Sequence, residues 1–140
     1  MIKVVVAALL SVFVLTAGAE EVNAQRAHYN YMLYCQGCHT PEGLGIDSVP
    51  RIKGHVGNFL RLQEGREYLV RVPGSAGSVL NDAQLAEVLN WMILEYGEDS
   101  IPADFHPYTE TEVAQLRQDP LLEVEDHRRR LMEQLRNSKE

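Results

Sequence analysis

The chain has 140 residues, 24% of them charged, and a formal net charge of −7 at pH 7. This length suits one small domain. The acidic charge argues against nucleic acid or an anionic membrane surface as a partner, because both would repel the chain, and it is compatible with a docking partner that carries a basic patch.

The N-terminus has the pattern of a secretory signal peptide. Lys3 precedes an apolar run over residues 4–15, and small residues follow at positions 17–19. This order predicts export and cleavage after Ala19. The apolar run is shorter than the roughly 20 residues of a membrane-spanning helix, so no stable span is expected in the mature chain. Without residues 1–19, whose charge is that of Lys3, the net charge becomes −8.

Helices are predicted over the first half of the mature chain, and no alternating pattern predicts a sheet. Apolar residues recur at helical spacing over residues 23–35. Residues 40–54 are rich in glycine and proline and predict a loop. Residues 56–72 predict two helical patches separated by Gly65, and residues 73–79 predict a second loop.

The strongest helix prediction covers residues 82–96. Its apolar positions follow the i, i+3, i+4 rule, Asn81 or Asp82 caps its start, and Gly97 ends it. Residues 98–108 are expected to form a linker.

A helical C-terminal extension is predicted after the linker. Thr109-Glu110-Thr111-Glu112 has the form of a capping box that opens a short helix over residues 113–117. Asp119-Pro120 predicts the start of a last helix, since proline is normal at a first helical position. The charges of this region, including Glu112 and the Arg128-Arg129-Arg130 run, are expected to face solvent.

One motif carries specific chemistry. Cys35-Gln36-Gly37-Cys38-His39 is the C-x-x-C-H pattern of covalent haem attachment. Positions i and i+3 share one face of a helical turn, so both thiols reach one edge of a porphyrin and His39 can ligate the iron. A redox dithiol and half of a zinc site are the alternatives. The first lacks a βαβ context and the second lacks another paired motif, so one covalent haem c is predicted.

The flanking segments give the chain a resemblance to class I cytochromes c over roughly residues 26–97. Tyr31 resembles the family's aromatic four residues before the first cysteine, and Trp91 the aromatic of its C-terminal helix. Residues 49–54 resemble the P-x-L-x-G segment. The resemblance implies that the Pro50 carbonyl accepts a hydrogen bond from the haem histidine and that Ile52 packs on the ring. It also implies an all-α fold around one haem.

The chain departs from that family on the far side of the haem. Class I cytochromes usually offer a methionine in the loop that here covers residues 71–79, which contains none. His55, Met92 and His106 are candidate sixth ligands, and a site without a protein ligand is the alternative. Four basic residues are candidates to neutralise the haem propionates, without a choice among them: Arg51, Lys53, Arg66 and Arg71.

These features predict a signal peptide (residues 1–19), a cytochrome c domain (20–97) and a linker with a helical extension (98–140). The extension is either a docking element or a strap around the haem domain. The predicted function is one-electron transfer in the periplasm, with a dehydrogenase or oxidase as the redox partner and no enzymatic activity. The alternative is a haem module that binds NO, CO or O₂ at an open sixth position.

Overall fold

The computed structural model describes residues 23–138, and in that range every regular element is helical. The predicted signal peptide lies outside the described residues. None of the described helices is long and apolar enough to cross a membrane. In chain order, the helices are α1 (Ala24–Tyr34), α2 (Gln36–His39), α3 (Val56–Phe59), α4 (Gln63–Arg71), α5 (Pro73–Ala76), α6 (Asp82–Tyr96), α7 (Glu110–Leu116) and α8 (Val124–Asn137). A 3-10 turn at Glu98–Ser100 lies between α6 and α7.

The packing of α1 against α6 forms the centre of the fold. Ala27 and Tyr31 of α1 are fully buried. The Trp91 ring of α6 stacks on His28 with centroids 5.1 Å apart and lies 5.2 Å from the Tyr31 ring. The predicted crossing of these two helices is therefore observed, with Trp91 half-buried rather than enclosed.

The helix predicted over residues 82–96 is confirmed at both ends. The Asn81 side chain accepts from the Gln84 N–H, and the Gln84 side chain accepts from the Asn81 N–H, which completes a capping box. Gly97 is the C-cap. At α7, Thr109 accepts from the Glu112 N–H as expected, and the helix begins at Glu110, three residues earlier than predicted.

Gly65 does not separate α3 from α4, as the sequence had suggested, but lies within α4. A Cβ at this position would stand 2.2 Å from the Phe59 carbonyl oxygen. The glycine is needed because α4 passes this close to the backbone of α3. The break between the two helices falls instead at residues 60–62.

Two other boundaries differ from the prediction. The loop expected over residues 73–79 contains α5, which Pro73 opens at its first position. The last helix begins at Val124 rather than at Pro120. Before it, the Leu121 N–H donates to the Arg71 carbonyl at 2.9 Å, which ties this segment to the end of α4.

The C-terminal extension packs along the rest of the fold. Val113 of α7 and Leu131 and Leu135 of α8 belong to the same hydrophobic core as the buried residues of α1, α4 and α6. The α7 helix lies against α4 and α6, and α8 lies against α3 and α4. These contacts bury the apolar residues of the extension against the rest of the fold.

Candidate functional site

The C-x-x-C-H motif forms one helical turn directly after α1. The Cys38 and His39 N–H groups both donate to the Cys35 carbonyl, at 3.1 and 3.0 Å. Both thiols are free, with Cys35 half-buried and Cys38 exposed. Burial raises the pKa of the Cys35 thiol to about 11, with a smaller contribution from Cys38. A reactive dithiol needs the opposite shift, so this environment does not favour redox catalysis by the pair.

The His39 ring lies inside the loop that follows it. Its Nδ1 is buried and completes no hydrogen bond of good geometry with a described group. Burial lowers the pKa of His39, and the Pro50 carbonyl, an acceptor close to the ring, opposes that shift. An imidazole held neutral, with one nitrogen buried towards an acceptor, has the form of a metal-ligating histidine.

Two glycines shape the loop that brings Pro50 to His39. The Gly43 carbonyl accepts from the Ile52 N–H at 2.9 Å, and the Gly45 N–H donates to the His39 carbonyl at 3.1 Å. Both glycines have positive φ, +71° and +74°, which L-residues rarely adopt. A Cβ on Gly45 would stand 2.2 Å from the Val49 carbonyl oxygen. The sequence had marked this segment only as a loop, and its G-x-G spacing after the motif was the available signal.

Two tyrosine hydroxyl groups hold the chain just after His39. The Tyr31 hydroxyl donates to the Thr40 carbonyl at 2.7 Å, and the Tyr96 hydroxyl donates to the Pro41 carbonyl at 2.8 Å. Burial raises the pKa of Tyr31 and that of Tyr96, so both remain protonated donors. Tyr31 therefore connects α1 to the loop, in addition to packing against Trp91.

The candidate sixth ligands lie in different environments. Met92 is 8% exposed and belongs to the hydrophobic core. His55 is exposed, and its Nδ1 lies 2.9 Å from the Lys53 carbonyl oxygen. His106 is exposed in the linker. Among the described residues, no group of three or more His, Cys, Asp or Glu side chains could hold a metal ion.

The loop after α5, where class I relatives place their methionine, is held by an arginine of the extension. The Arg117 guanidinium donates to the carbonyl groups of Ala76, Ser78 and Leu80, at 3.1, 2.6 and 2.8 Å for the shortest bond to each. It also pairs with Asp82 at 2.9 Å. Sequence reasoning did not single out Arg117, because its partners are 35 or more residues away in the chain.

Comparisons with known proteins place the chain among cytochromes c. The chain is 33% identical to cytochrome c-552 of Thermus thermophilus over 102 residues, which cover 59% of this chain and 78% of that protein. A second cytochrome c-552 from the same species shows the same identity over 69% of its length. No protein-family model matches the chain.

The chain belongs to the class I-like c-type cytochromes, a family of electron carriers rather than enzymes. The family's cofactor is haem c, and the residues at the site fit it. Two free thiols lie one turn apart, and a buried imidazole nitrogen without a completed hydrogen bond follows directly. The all-α fold predicted from the sequence is confirmed over the described residues.

Proposed function

We propose that this protein transfers single electrons in the periplasm through one haem c, bound covalently by Cys35 and Cys38, with His39 as the proximal iron ligand. The observation that supports the proposal is His39, which directly follows the second of two free thiols: its Nδ1 is buried without a completed hydrogen bond, and the Pro50 carbonyl is an acceptor for its ring. When bound, the haem iron cycles between Fe(III) and Fe(II) and so exchanges one electron at a time.

The protein residues would each contribute one element of the site. The two thiols fix the cofactor to the chain. The Pro50 carbonyl orients the His39 imidazole by accepting from its Nδ1, which favours ligation through the other ring nitrogen. Ile52 is 8% exposed and lies on the same loop, where it would pack on the haem ring and exclude water, as the family resemblance implies.

The location and partner follow from the N-terminal pattern and the charge. Cleavage after Ala19 would release a mature protein into the periplasm with a net charge of −8. A dehydrogenase or oxidase with a basic docking patch would suit this charge. We divide the chain into the signal peptide, a haem domain over residues 20–97, and the strap over residues 98–140.

Mass spectrometry of the exported protein tests the attachment. The mature chain should carry the mass of one haem, and acid-acetone should not extract it. Changing Cys35 and Cys38 to serine together should leave haem that acid-acetone removes. Extractable haem in the unaltered protein, or a Cys35–Cys38 disulfide without haem, would contradict the proposal.

We further propose that no methionine is the sixth ligand, because residues 71–79 contain none and Met92 is packed in the core. A site without a thioether has a lower reduction potential than a Met-ligated one. Optical spectra of Met92→Leu and His55→Ala test this. Conversion from low to high spin by Met92→Leu alone would refute it. A protein that is high-spin without either change would instead support the binding of NO, CO or O₂.

A further inference from the structure

A small cavity lies between α3 and α8. Its volume is about 80 Å³, whereas one water needs roughly 10–15 Å³ on this measure. It is large enough for a carboxylate with associated water. Phe59, Met132 and Leu135 give it apolar walls, and His55, Arg128 and Arg136 contribute its basic groups.

The arginines of this cavity differ from the others in their partners. Five arginines pair with a carboxylate, namely Arg26, Arg66, Arg71, Arg117 and Arg129. Three more bond to a carbonyl group or a histidine ring, namely Arg51, Arg61 and Arg130. Arg128 and Arg136 have no hydrogen bond or ion pair with a protein group in residues 23–138, and both line the cavity.

Arg128 is the more enclosed of the two. It is half-buried, and its guanidinium carbon lies 5.9 Å from the centroid of the Phe59 ring. A partly desolvated guanidinium without a carboxylate is unfavourable. Since its planar donor groups suit bidentate binding of a carboxylate, the cavity has the chemistry of an anion site. The chain as a whole has a net charge of −7, so its composition does not explain why two unpaired arginines line the same cavity.

The cavity adjoins the segment that the proposed function places against the haem. The His55 N–H donates to the Ile52 carbonyl at 3.0 Å, so the cavity begins one turn after Ile52. The basic residues that the sequence offered as propionate partners are mostly engaged elsewhere. Arg66 pairs with Glu112, Arg71 with Asp119 and Lys53 with Glu98.

We propose that Arg128 and Arg136 of the C-terminal extension bind the propionate groups of the haem. The proposal rests on the proposed function, because it requires a haem at Cys35 and Cys38. It gives the strap a role in the redox chemistry: α8 supplies the positive charge that compensates the two propionates. The expected solvent-facing character of the Arg128-Arg129-Arg130 run is therefore wrong for Arg128, which is half-buried and lines the cavity.

The test compares three single changes on α8 in the haem-loaded protein. Arg128→Gln and Arg136→Gln remove the proposed propionate partners. Arg129→Gln is the matched control, because it removes the same charge from an exposed side chain that pairs with Asp126 on the same helix. Removing a cation beside a propionate favours Fe(III). We expect Arg128→Gln and Arg136→Gln each to lower the equilibrium constant for reduction of the iron several-fold, where a tenfold change in that constant equals about 59 mV for one electron. Arg129→Gln should have little effect.

The pH dependence of the reduction potential provides a readout that a purely structural role would not change. Loss of a neighbouring cation raises the pKa of a carboxyl group. Ionisation of a propionate lowers the reduction potential, so the potential falls as the pH rises through the propionate pKa. This fall should occur at higher pH in Arg128→Gln and at an unchanged pH in Arg128→Lys. This second variant retains the charge and controls for loss of packing.

Three results would overturn the inference. One is equal potentials and pH profiles in all three glutamine variants. Another is a saturable rise in the melting temperature with inorganic phosphate that Arg128→Gln abolishes, since the cavity would then bind a free anion. The third is absence of covalent haem in the unaltered protein, which would refute the proposed function as well. The mass measurement distinguishes that case from the first two.

Discussion

Breaking the pair formed by Arg66 and Glu112 should cost more stability than breaking any other ion pair in the described structure. Arg66 is 5% exposed, and its Nε and Nη2 donate to the two carboxylate oxygens of Glu112 at 2.6 and 2.8 Å. Its Nη1 donates to the His106 carbonyl at 2.8 Å, and its guanidinium carbon lies 4.0 Å from the Tyr108 ring centroid. The sequence had suggested that Glu112 is solvated, which is wrong because α7 places it against α4.

Replacing Glu112 with glutamine leaves the buried Arg66 charge uncompensated. Removing one partner of a fully buried pair costs about 3–5 kcal/mol. The Glu112 side chain is 27% exposed, and glutamine can still accept one hydrogen bond. We therefore expect a loss of about 2–3 kcal/mol in the free energy of unfolding, a large share of the roughly 5–15 kcal/mol of a typical domain.

Urea unfolding of the haem-loaded protein, followed by far-UV circular dichroism, measures this loss. Asp119→Asn is the matched control, since it makes the same chemical change in a pair whose carboxylate side chain is 82% exposed. Exposed pairs contribute about 0–1 kcal/mol. The reasoning would be refuted if Glu112→Gln cost less than about 1 kcal/mol, or no more than the control.

Three other outcomes are expected. Gly45→Ala should alter the haem spectrum and destabilise the protein by more than the roughly 1–2 kcal/mol of a left-handed L-residue, because the new Cβ would meet the Val49 carbonyl. Gly37→Ala is the control, since a Cβ there has nothing within 4 Å, and equal unfolding curves for the two variants would contradict the prediction. Trp91→Ala should cost about 2–3 kcal/mol in urea unfolding, below the roughly 3–5 kcal/mol of an enclosed aromatic because Trp91 is half-buried, and a cost under about 1 kcal/mol would show that the contact with α1 is unimportant. Arg117→Gln should speed amide hydrogen exchange in residues 76–82 more than elsewhere, and a uniform change would disprove its local role.

Several features could be predicted from the sequence because their causes are local. The apolar spacing of residues 82–96, the Asn81 cap and the Gly97 end lie within one stretch of chain, and the helix has those bounds. The C-x-x-C-H motif is likewise local, since its two cysteines and its histidine lie within five consecutive residues. The resemblance that extended from it, with Tyr31 and Trp91 at the helix crossing, agrees with the observed packing of α1 on α6.

The remaining features depend on contacts between residues far apart in the chain, which no local pattern records. Whether a charged residue is solvated or paired depends on what lies opposite it, as Glu112 and Arg117 show with partners more than 30 residues away. Gly65 resembles a helix break in sequence, but the close approach of the Phe59 backbone makes it a packing residue. The Leu121 N–H bonds to the Arg71 carbonyl, another contact that no local pattern records. Tertiary structure decides such cases because burial and hydrogen bonding act on neighbours in space, whereas propensity and capping act on neighbours in sequence.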